Sequence, residues 1–323
     1  MKKKIVSIIG TGVIGAGWAA RFLAKGYIVK AYDPNIDSLE KLKKNIRFAF
    51  KSLKKIGLNK NASLKKLKVF TNLNDALHET TFVQENAPEN EKIKKNILKK
   101  IDNIIPKNII IASSSSGLLP SKIQSTCKFP ERVLIGHPFN PVYLLPLVEI
   151  VAGKKTSHTN VKKLKKIYEH IGMRPLIVRK EIEGYISDRL QEALWREALH
   201  IINDGVASTE EVDDAIVYGP GLRWAFMGVC LTFHLAGGET GMKHMLEQFG
   251  PALKLPWTKL KAPELSSKLK ESMISGTKKQ AGKFSIKELE KQRDLFLIEI
   301  MKTLNKNQKN KFPNWDKKYN KFK

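Results

Sequence analysis

Hydrophobic positions change their period along this chain. Residues 4–9 (KIVSII) form a short, nearly continuous apolar run, as a strand buried on both faces requires. Small and apolar residues over 14–25 predict a helix opened by glycines. Residues 27–32 read as a second strand and 36–57 as a long Lys-rich helix. Short apolar runs recur at 67–70, 81–84, 108–112 and 132–136, with helical spacing between them, notably over 89–101. Strand alternating with helix predicts an α/β fold with a doubly wound, mostly parallel sheet. Beyond residue 181 the alternation stops. ISDRLQEALWREALHIINDG spaces its apolar residues at helical intervals and stops at Gly205. The expected organisation is an α/β domain over 1–181, an all-α domain over 182–304 and a polar, Lys-rich tail over 305–323. The tail's Phe312, Trp315, Tyr319 and Phe322 predict docking of those rings onto the body of the protein.

Composition adjusts this picture in two places. A chain of 323 residues with 42% hydrophobic and 28% charged positions has room for two cores and belongs with water-soluble globular proteins. The formal charge of +27 invites a polyanion-binding function. Yet 49 of the 58 basic residues are Lys, and Arg, the residue suited to bidentate phosphate and base recognition, contributes nine. Lysines spread over almost every predicted helix describe a solvated surface. The two cysteines, Cys127 and Cys230, form no CxxC pair, as expected of a reducing compartment. No histidine stands at metal-ligand spacing, so no metal is expected. The start, MKKKIVSIIGTGVIGAGW, imitates a secretory signal, but glycines at 10, 12, 15 and 17 weaken an apolar helix there. A cytoplasmic location is expected.

Those glycines have a better use. Gly10-x-Gly12-x-x-Gly15 lies between the first strand and the first helix, with Thr11, Val13 and Ile14 completing the turn. The first glycine permits a tight turn, the second lets backbone approach a pyrophosphate, and the third lets helix and strand pack closely. The helix N-terminus then offers unpaired N–H groups to the phosphates. Asp33 ends the second strand 18 residues after Gly15, where a carboxylate accepts the adenosine ribose hydroxyls and repels a 2′-phosphate. The expected cofactor is NAD, on a Rossmann-like domain.

If NAD binds, GHPFNPVYLLPLVEI at 136–150 acquires a chemical meaning. Oxidation of an alcohol requires removal of its hydroxyl proton, and an imidazole titrates close to neutrality. His137 is the candidate general base. Glu149, within an apolar run, is the candidate that orients the ring and stabilises the imidazolium. Ser116, in SSSSG after the strand at 108–112, is placed to hydrogen-bond the reacting oxygen at the carboxyl edge of the sheet.

GTGVIG, ENAPENEKIKKN, ASSSSGLLPS, GHPFNPVYLLPLVEI and GYISDRL together resemble the successive motifs of the 3-hydroxyacyl-CoA dehydrogenase superfamily, over nearly the whole chain except the tail. The resemblance implies a His137–Glu149 catalytic dyad and an active-site serine at Ser116. It implies NAD contacts at the three glycines, Asp33, Glu89, Lys94, Ser116 and Asn140, and a homodimer formed through the helical domain. One position departs: where the family carries asparagine in its NRL motif, this chain has Asp188. An ionised aspartate accepts but does not donate a hydrogen bond, which points away from the usual substrate. GPGLRWAFMGVCLTFHLAGGETGMKHM resembles the branch of the superfamily that oxidises L-carnitine, with a looser likeness to members that act on gulonate. A trimethylammonium group is held by aromatic faces and a carboxylate. The candidates are Tyr143, Trp195, Trp224, Phe226, Phe233 and Trp257 with Asp188, and Arg223 is the candidate partner for the substrate carboxylate. The alternatives are another 3-hydroxy-acid or 3-hydroxyacyl-CoA dehydrogenase, acting on L-gulonate or 3-hydroxybutyryl-CoA, and a non-enzymatic polyanion-binding protein.

Overall fold

The computed structural model describes residues 4–225, 228–259, 261, 264 and 266–306. These fall into two compact units that part between Ile186 and Ser187. The first carries an eight-stranded sheet: β1 (Ile5–Ile9), β2 (Ile28–Tyr32), β3 (Leu67–Phe70), β4 (Phe82–Glu85), β5 (Ile111–Ser113), β6 (Val133–Pro138), β7 (Leu147–Val151) and β8 (Arg174–Val178). Its order is β3-β2-β1-β4-β5-β6-β7-β8, with every neighbouring pair parallel except β6 and β7. The order reverses between β1 and β4, which is where doubly wound sheets open a ligand crevice at their carboxyl edge.

The sequence pattern predicts six of these strands. β7 and β8 are additions, and β7 runs against the rest. LVEIV is a short apolar run broken by an acid, and RPLIV opens on charge and proline, so neither shows a decisive local period. What makes β7 a strand is pairing with β6: Ile135–Val151, Gly136–Ile150, His137–Glu149 and Pro138–Val148 lie opposite one another. Gly136 has no side chain because a Cβ there would stand 1.8 Å from the Tyr168 hydroxyl.

Six helices complete this unit: α1 (Val13–Ala24), α2 (Ile36–Ile56), α3 (Leu73–Leu77), α4 (Glu91–Ile104), α5 (Pro120–Ile123) and α6 (His158–His170). The long α2 buries Leu39, Leu42, Ile46, Phe50 and Leu53 at helical intervals and turns its lysines outward; the Asn35 side chain caps it by accepting from the Asp37 N–H. α1 is buried from Gly15 to Ala24, because the sheet lies beneath it and other elements cover it. Its Arg21 is fully buried. The guanidinium donates to the carbonyls of Val142 at 2.9 Å, Gly172 at 3.2 Å, and Ile171 and Leu145 at 3.3 Å. Burial lowers this group to about 9, which leaves it charged at neutral pH. Arg21 therefore ties the helix behind the glycine turn to the loop that joins β6 to β7. Gly17 permits the same approach, since a Cβ there would meet the Val142 side chain at 2.7 Å.

The regular elements described in the second unit are all helices: α7 (Ser187–Asn203), α8 (Thr209–Val217), α9 (Pro220–Trp224), α10 (Val229–Ala236), α11 (Met242–Phe249), α12 (Ser267–Ala281) and α13 (Ile286–Lys306), with short 3-10 turns. Its interior is small. Leu199, Ile202 and Leu269 form one buried cluster, while Tyr218, Leu253, Trp257 and Phe296 are each at least 70% exposed. α13 runs through Lys306, so the first two residues of the expected tail are helical. Phe312, Trp315, Tyr319 and Phe322 lie outside the described residues, as does Phe226.

Candidate active site

The carboxyl ends of β1, β2, β4, β5 and β6 share one edge of the sheet, and the predicted cofactor and dyad residues of this unit stand on it or just beyond it. Gly10 adopts φ +90°, open to glycine without strain, and a Cβ there would lie 2.5 Å from the Asn86 carbonyl oxygen. Gly15 meets the turn so closely that a Cβ would stand 2.1 Å from the Gly10 oxygen. Gly12 is different: nothing lies within 4 Å of where its Cβ would be, and no side chain caps the helix it opens. Val13 is exposed at the start of that helix, with Ile14 behind it. An uncapped helix N-terminus beside open space above a glycine turn suits a phosphate. Asp33 follows β2. Thr11 donates to its Oδ2 from both N–H (3.1 Å) and hydroxyl (2.8 Å), and the Asn35 N–H donates to Oδ1 at 3.1 Å. The carboxylate is thus anchored to the turn itself. These residues fit a dinucleotide that carries a free ribose 2′-hydroxyl. A cavity of about 490 Å³ adjoins this end of the crevice, lined by Tyr32, Thr71, Asn72, Ile97 and Lys100 among others.

Glu89 and Lys94 belong to the loop and helix after β4. One Glu89 oxygen accepts the Ser115 hydroxyl and the N–H groups of Ser116 (3.1 Å) and Gly117 (3.2 Å), and its other oxygen faces the Lys94 ammonium at 3.5 Å. Burial pushes this carboxyl up, but the Ser115 hydroxyl, the Lys94 charge and the two backbone N–H groups together outweigh it and hold the carboxyl below its ordinary range. Ser116 is exposed at the tip of this loop and gives its backbone N–H to Glu89. Lys94 is 1% exposed, a placement that its spacing in a Lys-rich helix did not signal.

His137 and Glu149 are brought together by register. Directly opposed residues of an antiparallel pair project to the same face, and His137 Nδ1 lies 3.0 Å from Glu149 Oε2. Both are buried, the histidine at 4% exposure and the glutamate at 0%. Glu149 Oε1 accepts the Ile186 N–H at 3.1 Å. An ionised carboxylate only accepts, so Nδ1 carries the proton and Nε2 is the basic nitrogen. Phe139 and Tyr185 flank the imidazole at ring-centroid distances of 5.0 and 5.5 Å. Tyr185 is fully buried, adopts φ +47° and donates its hydroxyl to the Leu118 carbonyl at 2.8 Å. Sequence reasoning missed this residue; the GY step in GYISDRL, where Gly184 also has positive φ, is its one local sign.

The remaining candidates are placed as follows. Asn140, exposed, and Tyr143, buried, lie in the loop between β6 and β7, and the Asn140–Pro141 peptide is cis. In the second unit, Asp188 stands in the first turn of α7, and Arg223 and Trp224 end the short helix α9. Of the other aromatic candidates there, Trp195 is 47%, Phe233 45% and Trp257 71% exposed. Among the described residues, no group of three His, Cys, Asp or Glu side chains could hold a metal ion.

A buried imidazole–carboxylate pair at the carboxyl edge of a doubly wound sheet, with a glycine turn and a strand-end acid on the same edge, is the arrangement of an NAD-dependent oxidoreductase that acts on a CH–OH group. Comparison with known proteins agrees. The family described as 3-hydroxyacyl-CoA dehydrogenase matches through its NAD binding domain over residues 5–182 and through its C-terminal domain over 184–284. The chain belongs to that family. It is 53% identical over 303 residues to the L-carnitine dehydrogenase of a Bacillus cereus strain, covering 94% of this chain and 93% of that protein. It is 52% identical over 301 residues to the L-carnitine dehydrogenase of Oceanobacillus iheyensis, covering 93% of this chain and 97% of the relative. Among solved structures, an NAD⁺-dependent 5-formyl-3-hydroxy-2-methylpyridine 4-carboxylic acid 5-dehydrogenase superposes with a TM-score of 0.80 at 26% identity, over 93% of this chain and 98% of that one.

Proposed function

We propose that this protein oxidises L-carnitine at its secondary hydroxyl to 3-dehydrocarnitine, with NAD as hydride acceptor. The observation that carries the chemistry is the register that sets His137 against Glu149 at the carboxyl edge of the sheet. The substrate rests on relatives of more than half identity over nine-tenths of the chain, both L-carnitine dehydrogenases.

NAD, when bound, supplies the acceptor for the hydride that leaves the carbinol carbon. The protein's part is proton transfer and orientation. His137 Nε2 takes the hydroxyl proton as the carbon–oxygen double bond forms, and the ring becomes an imidazolium. Glu149 holds Nδ1–H throughout, which keeps Nε2 basic in the ground state and balances the positive charge that then develops. Phe139 and Tyr185 restrain the ring's tilt, so its reach toward the substrate is set before binding. Ser116, exposed on the loop held by Glu89, is assigned the hydrogen bond to the reacting oxygen. The N-terminus of α1 and Asp33 take the pyrophosphate and ribose, with Glu89, Lys94, Ser116 and Asn140 completing the cofactor surroundings. For the substrate, Arg223 is assigned to the carboxylate, and Tyr143, Trp224, Phe226 and Asp188 to the trimethylammonium. A carboxylate at position 188 suits a cation better than a developing carbonyl oxygen.

We further infer a homodimer in the cytoplasm. The second unit buries few of its apolar side chains and leaves several large ones at its surface, a pattern that a second copy would cover. No helix among the described residues is long and apolar enough to cross a membrane. The test of function is reduction of the nicotinamide cofactor with L-carnitine, L-gulonate and 3-hydroxybutyryl-CoA, each offered with NAD (giving NADH) and with NADP (giving NADPH). Turnover of carnitine with NAD is expected. Silence on carnitine beside good turnover of either competitor would reassign the substrate, and preference for NADP would remove the role given to Asp33.

A further inference from the structure

Residues 181–186, at the end of the first unit, hold both halves of the proton chemistry: the dyad and the serine loop. The Glu181 carboxylate accepts the Ser121 N–H at 3.0 Å and the Ser121 hydroxyl at 2.6 Å. Gly184 and Tyr185 then adopt φ +70° and +47°, and the Tyr185 N–H donates to the Ile182 carbonyl at 3.2 Å, which closes a tight turn. A bulky residue seldom takes a left-handed conformation and keeps one only where its surroundings fix it. Three contacts do so here. The buried Tyr185 ring packs against the His137 imidazole, with centroids 5.5 Å apart. The next N–H, that of Ile186, donates to Glu149 Oε1 at 3.1 Å. The Tyr185 hydroxyl donates to the Leu118 carbonyl at 2.8 Å. Leu118 in turn gives its N–H to the Ser115 hydroxyl at 3.2 Å, and that hydroxyl donates to Glu89. Ser116 and Gly117 therefore lie between two held residues, Ser115 and Leu118.

We propose that Tyr185 is a positioning residue that sets the separation of Ser116 from His137, its ring resting on the imidazole and its hydroxyl tethering the loop that carries the serine. The base and the hydrogen-bonding serine act on one substrate oxygen, so their separation must be right before substrate arrives. An error of about 1 Å in such a placement costs up to about 10² in rate. A ring without its hydroxyl would restrain the imidazole alone, and a loop contact without the ring would place the serine alone. Tyr185 makes both contacts from one side chain. This inference rests on the reading of Ser116 as the group that hydrogen-bonds the reacting oxygen.

Tyr185→Phe keeps the ring and removes the tether. The full-length Tyr185→Phe, Ser116→Ala and doubly substituted proteins are compared with the unmodified chain. The readouts are melting temperature and kcat at saturating NAD, with whichever substrate of the panel above is turned over best. Ser116→Ala is expected to lower kcat by about 10²-fold, as loss of a hydrogen-bond donor to a reacting oxygen does. Tyr185→Phe should lower it about tenfold, because the serine is still present but less well placed. With Ser116 already replaced, the same Phe substitution should cost no more than about twofold, since no serine is left to misplace. A hydroxyl that only supported the fold would cost the same factor with or without the serine, and that result overturns the inference. So does Tyr185→Phe with unaltered kcat, or a fall of more than about 10 °C in its melting temperature. In each of these cases the dyad and Ser116 keep the roles given above. Undiminished kcat in Ser116→Ala, or an unmodified chain that turns over none of the panel, would instead sink the reading of the site, and this inference with it.

Discussion

Glu149→Gln is the sharpest probe of the dyad, because it changes one charge and almost no volume. One carboxylate oxygen accepts from His137 Nδ1–H at 3.0 Å and the other accepts the Ile186 N–H at 3.1 Å. A glutamine has a single carbonyl oxygen. If it stays with Ile186, the amide NH₂ faces Nδ1, which must give up its proton, and Nε2 becomes a donor that cannot accept the substrate's proton. If it serves His137 instead, NH₂ meets N–H in a buried place, and a donor is stranded at about 1–3 kcal/mol. Either way the imidazolium loses its counter-charge. Two unit charges 3.0 Å apart attract by roughly 5 kcal/mol at an effective dielectric of about 20. The amide dipole retains part of this, so the expected rise in barrier is about 3–5 kcal/mol, or about 10²–10⁴ in kcat. The assay is NADH formation at saturating L-carnitine and NAD, with NAD affinity measured separately. Affinity should hold, since Glu149 belongs to β7 and the glycine turn to β1. A kcat within a few-fold of the unmodified protein would refute the dyad, and an equal loss in NAD affinity would show that Glu149 acts by supporting the fold.

Two further substitutions separate cofactor contact from stability. Gly12→Ala adds a methyl into open space at an ordinary φ of −61°, so folding stability should change by less than about 1 kcal/mol; NAD affinity should nevertheless fall about tenfold or more, because the methyl stands where the pyrophosphate approaches the backbone. Unchanged calorimetric affinity would move the pyrophosphate elsewhere. Arg21→Met deprives the carbonyls of Val142, Leu145, Ile171 and Gly172 of a buried donor, at a cost of about 3 kcal/mol. Thermal melting should drop by roughly 6–12 °C, and kcat should fall with it as the loop after His137 loosens; an unaltered melting curve would show that the clamp contributes little.

Much of this protein is legible without coordinates. The glycine turn, Asp33 and the strand–helix alternation are local signals, because a tight turn, a strand-end acid and a hydrophobic period each depend on a few consecutive residues. His137 and Glu149 are recognisable as a pair through the motif they share. What the local pattern does not contain is pairing partner and direction. β7 and β8 carry weak periods of their own and become strands through their neighbours, and only the antiparallel register of β6 with β7 turns a separation of twelve residues into a 3.0 Å contact. Tyr185 and the Ile186 N–H brace the dyad from a segment 37 residues beyond Glu149. Lys94 shows the limit most plainly. In the sequence it is one lysine among many on an amphipathic helix, and in the fold it lies against Glu85 at the reversal of the sheet. Side-chain chemistry and short-range conformation belong to the residues themselves, whereas burial and charge pairing depend on which distant segments fold against them, and those are decided by the tertiary structure alone.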